Sequence, residues 1–134
     1  MFPLSPTQWK TLIAEAMELL VPAHECGFFD GGCYTLARAV KHVFPDAVQV
    51  AHVSRSEARF DHAILHIEGT ELYLDADGLQ SYGQMMHKMQ HLEGVAVSDI
   101  WFDVDDRLAN KTCYRDIFDF LVERLNTFAL EDVS

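Results

Sequence analysis

Two glycines and a cysteine stand directly before a segment with helical periodicity, in the order Asp30-Gly31-Gly32-Cys33. The apolar residues that follow recur at helical spacing as far as Pro45, and they are Leu36, Ala37, Val40, Val43 and Phe44. We therefore predict a helix from about Cys33 to Phe44. Because the first backbone N–H groups of a helix are unpaired and lie at the positive end of its dipole, this position favours the nucleophilic thiolate form of a cysteine.

The segment before the two glycines predicts a first helix and a loop. Ser5 is the predicted N-cap, Pro6 suits the first helical position, and Gln8 completes a capping box with Ser5. Apolar residues then follow at helical spacing, and we expect Pro22 to end the helix. Residues 21–32 are the predicted loop that leads into the second helix.

The middle of the chain changes from helical to strand patterning. Three segments are predicted strands, namely Ala47–Val53, His62–Ile67 and Glu71–Ala76. Between the last two, Gly69-Thr70 indicates a tight hairpin turn. The remaining chain predicts a helix over residues 80–92, a short strand over 95–97, and a last helix that Thr112 caps. The predicted fold is α+β, with helices first, a small antiparallel sheet in the middle and a helix at the C-terminal end.

The hairpin turn predicts which side chains lie together. If Gly69-Thr70 are the two loop residues, counting back along both arms places His62 opposite Asp77. Directly opposed residues and their diagonal neighbours share one face of a sheet, so Asp75 and Asp77 both lie on the His62 face. Either carboxylate can accept a hydrogen bond from His62. Asp75 is preferred because it lies on the strand itself, whereas Asp77 precedes Gly78 in a predicted turn.

The order of these residues resembles a known enzyme core. A Gly-Gly-Cys that opens a helix, a histidine on a strand and a Tyr73-Leu74-Asp75 strand end resemble the papain-like cysteine hydrolase core. Within it, the transglutaminase-like and arylamine N-acetyltransferase-like branches look closest. The chain is also similar to small uncharacterised bacterial and phage proteins with the pattern Gly-Gly-Cys…His…Tyr-x-Asp-x-Asp-Gly. The resemblance covers about residues 30–79.

The resemblance implies a papain-like core and a role for each matched residue. Cys33 would be the nucleophile, His62 the general base and acid, and Asp75 or Asp77 the orienting carboxylate. Papain-like enzymes often place a glutamine shortly before the cysteine, and residues 24–30 contain none. The backbone N–H of Cys33 is therefore the one oxyanion donor that the sequence assigns.

The reaction class that these residues indicate is acyl transfer through a thiol. Cys33 would attack an amide or ester carbonyl, and water or an amine would resolve the thioester. Peptidase, amidase, deamidase and transglutaminase-like activities share these parts, so the expected substrate is a peptide, a protein or a small amide. No cofactor and no metal ion are expected.

The charge of the chain limits its partners. The sequence has 21 acidic and 10 basic residues, for a formal net charge of −11. Nucleic acids and anionic membranes are bound through basic patches, so we expect neither as a direct partner. The alternative function is that of a non-catalytic acidic binding or inhibitor protein of phage or mobile-element origin, which reuses the fold to bind a basic protein. The acidic residues between Asp99 and Asp106 and those near the C-terminus would make that contact.

Length and cysteine content indicate one domain in a reducing compartment. At 134 residues the chain is expected to form a single domain, 1–134. It contains no apolar run of the roughly 18 residues that a membrane span needs, and its start does not have the pattern of a signal peptide. The sequence contains 3 cysteines, an odd number. Free thiols and a cytoplasmic location are the expectation.

Two further sets of residues offer alternatives at the same site. His66 has the same strand parity as His62 and is a rival general base, although it lies further from the aspartates. A tetrahedral zinc ion accepts histidine and cysteine ligands, and such a set would be His24, Cys26, Cys33 and His62.

Overall fold

The computed structural model describes residues 2–131, and it confirms the predicted α+β class. Within these residues the α-helices are α1 (Pro6–His24), α2 (Cys33–Val43), α3 (Tyr82–His87) and α4 (Arg115–Glu131). The strands are β1 (Val48–Ser54), β2 (His62–Ile67), β3 (Leu72–Asp75), β4 (Gly78–Ser81) and β5 (Asp99–Phe102). The helix α3 continues into a π-helical turn, Lys88–Leu92, and a 3-10 turn spans Arg107–Asn110. None of the described helices has the length and apolar character needed to cross a bilayer.

The sheet is antiparallel, with the strand order β4-β3-β2-β1-β5, and helices cover both of its faces. On one face α2 packs on alternate strand residues such as Val50, Leu65 and Leu74, and α1 and α4 complete the same core. On the other face the methionines of α3 and the π turn pack on Ala51 and Ile64. Because side chains alternate along a strand, each strand supplies residues to both cores.

The first helix begins as predicted and ends later. The capping box is present, because Ser5 Oγ accepts from Gln8 N at 3.1 Å and Gln8 Oε1 accepts from Ser5 N at 2.8 Å. The prediction that Pro22 ends α1 is wrong, since the helix continues to His24. Pro22 lies in the last turn, where its missing N–H frees only the carbonyl of Glu18, an exposed residue that water can reach. Glu25 then ends the helix in the left-handed conformation.

The register of the central hairpin is the predicted one, but its second arm is shorter. Leu65 pairs with Leu74 and His66 with Tyr73, as a Gly69-Thr70 turn requires. The strand β3 ends at Asp75, which pairs with Gly78 at the start of β4. Gly78 has a φ of +103°, a conformation that glycine adopts readily, and it allows the chain to reverse there. The placement of His62 opposite Asp77 is therefore wrong, because Asp77 lies in the turn between β3 and β4.

The C-terminal half differs from the prediction in four places. The segment 80–92 begins as strand β4, and α3 starts only at Tyr82, behind a capping box of Ser81 and Gln84. The predicted strand over 95–97 is wrong, since Val97 is buried against the methionines of the smaller core instead of joining the sheet. The edge strand is β5, and α4 begins at Arg115, three residues after the predicted Thr112 cap.

The two glycines before Cys33 are required by the path of the backbone. Gly31 has a φ of +132°, which favours glycine strongly. Gly32 N donates a hydrogen bond to Gly27 O at 2.9 Å, so the loop folds back tightly under α2. A Cβ at Gly32 would lie 2.8 Å from that carbonyl oxygen and 2.8 Å from Leu20 Cδ2. The backbone therefore approaches too closely at this point for any side chain.

We expect Gly32→Ala to destabilise the protein by about 2 kcal/mol or more, because the added methyl group meets a backbone atom that cannot move independently. Gly83→Ala is the matched control, since a Cβ at this helical position meets no atom within 4 Å. That variant should be more stable than the wild type by about 0.5–1 kcal/mol. Urea unfolding followed by circular dichroism measures both. A Gly32→Ala variant of unchanged stability would contradict this account of the loop.

Candidate active site

Three of the residues singled out from the sequence meet at one end of the sheet. Cys33 is the first residue of α2, His62 is the first of β2, and Asp75 is the last of β3. Their exposed fractions are only 5%, 3% and 3%. The helix N-terminus therefore brings a thiol to the point where one strand supplies an imidazole and the next a carboxylate.

The Asp75 carboxylate is bonded on both of its oxygens. Oδ2 lies 3.2 Å from His62 Nε2. Oδ1 accepts from Gln80 Nε2 at 2.8 Å and from the backbone N–H of Asp77 at 2.9 Å. The Asp75 carbonyl also accepts a bond from Trp9 Nε1 at 3.0 Å, which ties α1 to the end of β3. These bonds leave the carboxylate little freedom to turn away from His62.

The His62 ring lies between this carboxylate and the Cys33 thiol. Nε2 is occupied by Asp75, whereas Nδ1 is buried and has no close hydrogen-bond partner in the described chain, which leaves it available to the thiol. Burial lowers the pKa of His62, but interactions with the Asp75 and Cys33 side chains outweigh burial and raise that pKa to about 9. The imidazolium form of His62 is therefore favoured at neutral pH.

The carboxylate keeps its charge in this buried place. Burial raises the pKa of Asp75, but the hydrogen bond and charge of His62 and the charge of Lys88 more than offset burial, and the pKa is lowered. A buried carboxylate with two cationic neighbours remains ionised because loss of its charge would leave both cations unpaired. At neutral pH the pair is thus an imidazolium and a carboxylate.

Sequence reasoning missed Lys88, which is 7% exposed and forms an ion pair with Asp75 Oδ2. Its Nζ also lies 3.3 Å from Asp77 Oδ2. One signal was available, because Lys88 follows Met85 by three residues and precedes Met89 by one, on the apolar side of the predicted helix. A lysine in that position is buried only with a carboxylate partner, and the sequence does not identify which one.

Phe29, from the predicted loop before Cys33, lies against the imidazole of the site. Its ring stacks on His62 with the centroids 5.0 Å apart and the planes at 25°. Lys88 Nζ lies 4.8 Å from the centroid of the same ring. The loop before Cys33 therefore covers the imidazole with an aromatic ring that also contacts the ammonium group.

The other predicted residues lie outside this group. The Asp77 side chain is 53% exposed and pairs with Lys88, not with His62. His66 lies towards the far end of β2, where Nε2 is 2.7 Å from Thr70 O. His24 pairs with Asp116 at 2.9 Å. Across residues 2–131 no group of three or more histidine, cysteine, aspartate or glutamate side chains is placed to hold a metal ion, so the zinc alternative is not assembled.

Scans of protein-family models, curated proteins and solved structures found no match to this chain. A thiol at a helix N-terminus, an imidazole with one free nitrogen and an ionised carboxylate on the other nitrogen can together form a thiolate–imidazolium pair.

The shifted pKa of His62 predicts how stability depends on pH. The folded-state pKa of His62, about 9, lies above the ordinary histidine pKa of 6.5, so the favourable interactions of His62 are complete below pH 6.5 and are lost as the pH rises through 9. Relative to His62→Gln, the wild type should lose up to about 3 kcal/mol of unfolding free energy across that window. Urea unfolding of both proteins at pH 6 and pH 10 measures the difference. Parallel pH profiles for the two proteins would contradict the assignment.

Proposed function

We propose that this protein is a thiol-dependent acyl-transfer enzyme with a papain-like core and a Cys33–His62–Asp75 triad. The observation that carries the proposal is the buried His62 ring, which bonds Asp75 through Nε2 and leaves Nδ1 to a thiol at a helix N-terminus. The proposed substrate is an amide or ester of a peptide, a protein or a small molecule. Hydrolase, deamidase and transferase chemistry would all use these groups.

In the acylation step the Cys33 thiolate attacks the carbonyl carbon of the substrate, and the C=O electron pair moves to oxygen. The backbone N–H of Cys33 is one donor for the resulting oxyanion, since first-turn N–H groups of a helix have no intrahelical partner. As the intermediate collapses, the C–N or C–O bond breaks and the leaving group takes a proton from the His62 imidazolium. The products of this step are a thioester on Cys33 and a neutral His62.

In the deacylation step His62 acts as the base. It removes a proton from water or an amine as that nucleophile attacks the thioester carbonyl. The C–S bond then breaks, the thiolate leaves, and the imidazolium–thiolate pair is restored. Asp75 takes no proton; its bond to Nε2 fixes the ring orientation and stabilises the imidazolium in each resting state.

The architecture around the triad is consistent with a papain-like core. The nucleophile opens a helix that packs on an antiparallel sheet, and the sheet carries the histidine and the aspartate on adjacent strands. The two glycines serve the tight turn that delivers Cys33, and Phe29 shields His62 from water. Exclusion of water strengthens the electrostatic interaction between thiolate and imidazolium.

The test is the pH dependence of Cys33 alkylation by iodoacetamide, in a background with Cys26→Ser and Cys113→Ser. An ordinary thiol is only about 1% thiolate at pH 6.5, so its alkylation falls roughly 75-fold between pH 9 and pH 6.5. We expect the triad to reduce that fall to less than about fivefold, because the imidazolium stabilises the thiolate. His62→Ala should restore the steep fall. The ratio of the two rates is the readout because it cancels the limited access to a buried thiol.

His66→Ala is the matched control for this experiment, since His66 lies on the same strand and bonds only a backbone carbonyl in the turn. It should keep the wild-type ratio. Asp75→Asn should give an intermediate ratio, because an amide orients the ring without stabilising its charge. A steep fall in the wild type that His62→Ala leaves unchanged would overturn the enzyme proposal, and the acidic binding protein would become the working hypothesis.

A further inference from the structure

The ammonium group of Lys88 is buried, and a carboxylate partner makes that burial possible. Lys88 opens the π-helical turn at the end of α3, and it is 7% exposed. A lysine ammonium group taken out of water loses its solvation, and burial is tolerated where a carboxylate offsets that loss. The compensating group is Asp75, which is itself 3% exposed. The buried carboxylate and the buried ammonium therefore depend on each other.

Asp75 Oδ2 is shared between two cations. His62 Nε2 lies 3.2 Å from this oxygen, and Lys88 Nζ bonds the same atom. The charged and titratable groups that face Lys88 are Asp75 from β3, Asp77 from the following turn, and His62 across the shared oxygen. Lys88 thus bears directly on the strength with which Asp75 acts on the imidazole.

We propose that Lys88 is a positioning residue of the thiol site. It keeps the Asp75 carboxylate ionised and oriented towards His62, and its positive charge balances the negative charge of the carboxylate. The inference rests on the proposed function, since it assigns Lys88 a part in the reactivity of Cys33. Lys88 pairs with Asp75 and Asp77, and it acts on the thiol through Asp75.

The reason is the charge balance of the buried groups. With Cys33 as thiolate and His62 as imidazolium, the site holds two negative charges and, with Lys88, two positive charges. Without Lys88 the same buried site would carry a net charge of −1, and it would lower that charge by protonating either Asp75 or Cys33. Both outcomes reduce the thiolate–imidazolium pair, the first by removing the partner of His62 and the second directly.

The contact with Phe29 extends the same role. The centroid of the Phe29 ring lies 5.0 Å from that of the His62 ring. Lys88 Nζ lies 4.8 Å from the same Phe29 centroid. A cation near an aromatic face is attracted to it, so Lys88 helps to hold the ring that packs on the imidazole. π-helical turns occur frequently at functional sites, and this one begins at the residue in question.

The experiment uses the alkylation ratio between pH 6.5 and pH 9 in the Cys26→Ser, Cys113→Ser background, with iodoacetamide as the probe. Lys88→Met removes the charge at similar length, and Lys88→Gln keeps a donor for Asp75 without a charge. Both should lower the rate at pH 6.5, relative to that at pH 9, about tenfold. Lys88→Arg keeps the charge and should stay within about threefold of the parent. Lys10→Met, at an exposed lysine, is the control for net charge and should change nothing.

The neutral variants decide the outcome because a purely structural lysine would change stability without changing the ratio. Urea unfolding establishes which variants fold, and Lys88→Gln serves if Lys88→Met does not. A folded neutral variant whose ratio of alkylation rates equals that of the parent would overturn the role of Lys88. The role would also be overturned if Lys88→Arg gave the same ratio as Lys88→Gln. In either case the proposed function stands provided that His62→Ala abolishes the shallow profile. If the pH dependence of alkylation in the parent protein does not change in His62→Ala, the proposed function itself is overturned.

Discussion

Burial of the Asp75 carboxylate is the constraint around which the rest of the site is built. An ionised carboxylate that is 3% exposed must have its lone pairs satisfied by the protein. The donors come from separate elements: His62 from β2, Gln80 from β4, the backbone of the β3–β4 turn, and Lys88 from the π turn. Each of those elements is thereby held against the end of β3, and α1 joins them through the Trp9 side chain.

Strand alternation explains why the site draws on both layers of helices. Leu74 faces the larger core with α2, so its neighbour Asp75 faces the smaller core with Lys88. Cys33 belongs to the larger core, and it interacts with His62 at the first residue of β2. The thiol and the carboxylate therefore come from different sides of the sheet, and the two ring nitrogens allow His62 to interact with both.

Local signals in the sequence were sufficient for the parts of the fold that depend on neighbouring residues. A two-residue turn and period-two alternation fix the pairing of β2 with β3, and the Ser5 capping box is contained within four residues. The early end of β3 could not be predicted, because an extended arm and a reversal at Gly78 satisfy the same alternation. Lys88 could be recognised as an unusual lysine, but its partner lies 13 residues away across a tertiary contact.

The Lys88–Asp75 pair also bears on the role that the proposed mechanism gives to the aspartate. Under the proposed mechanism, a buried carboxylate without Lys88 would leave the thiolate form of the site with a net negative charge, which protonation of Asp75 or Cys33 would relieve. Lys88 shares the oxygen that bonds His62, so the carboxylate keeps its geometry as an acceptor while much of its field is cancelled. Under the proposed mechanism the thiolate then becomes the main counter-charge of the imidazolium. As the thiolate is consumed in acylation, the imidazolium loses that counter-charge, and its proton becomes easier to transfer at the step that needs it.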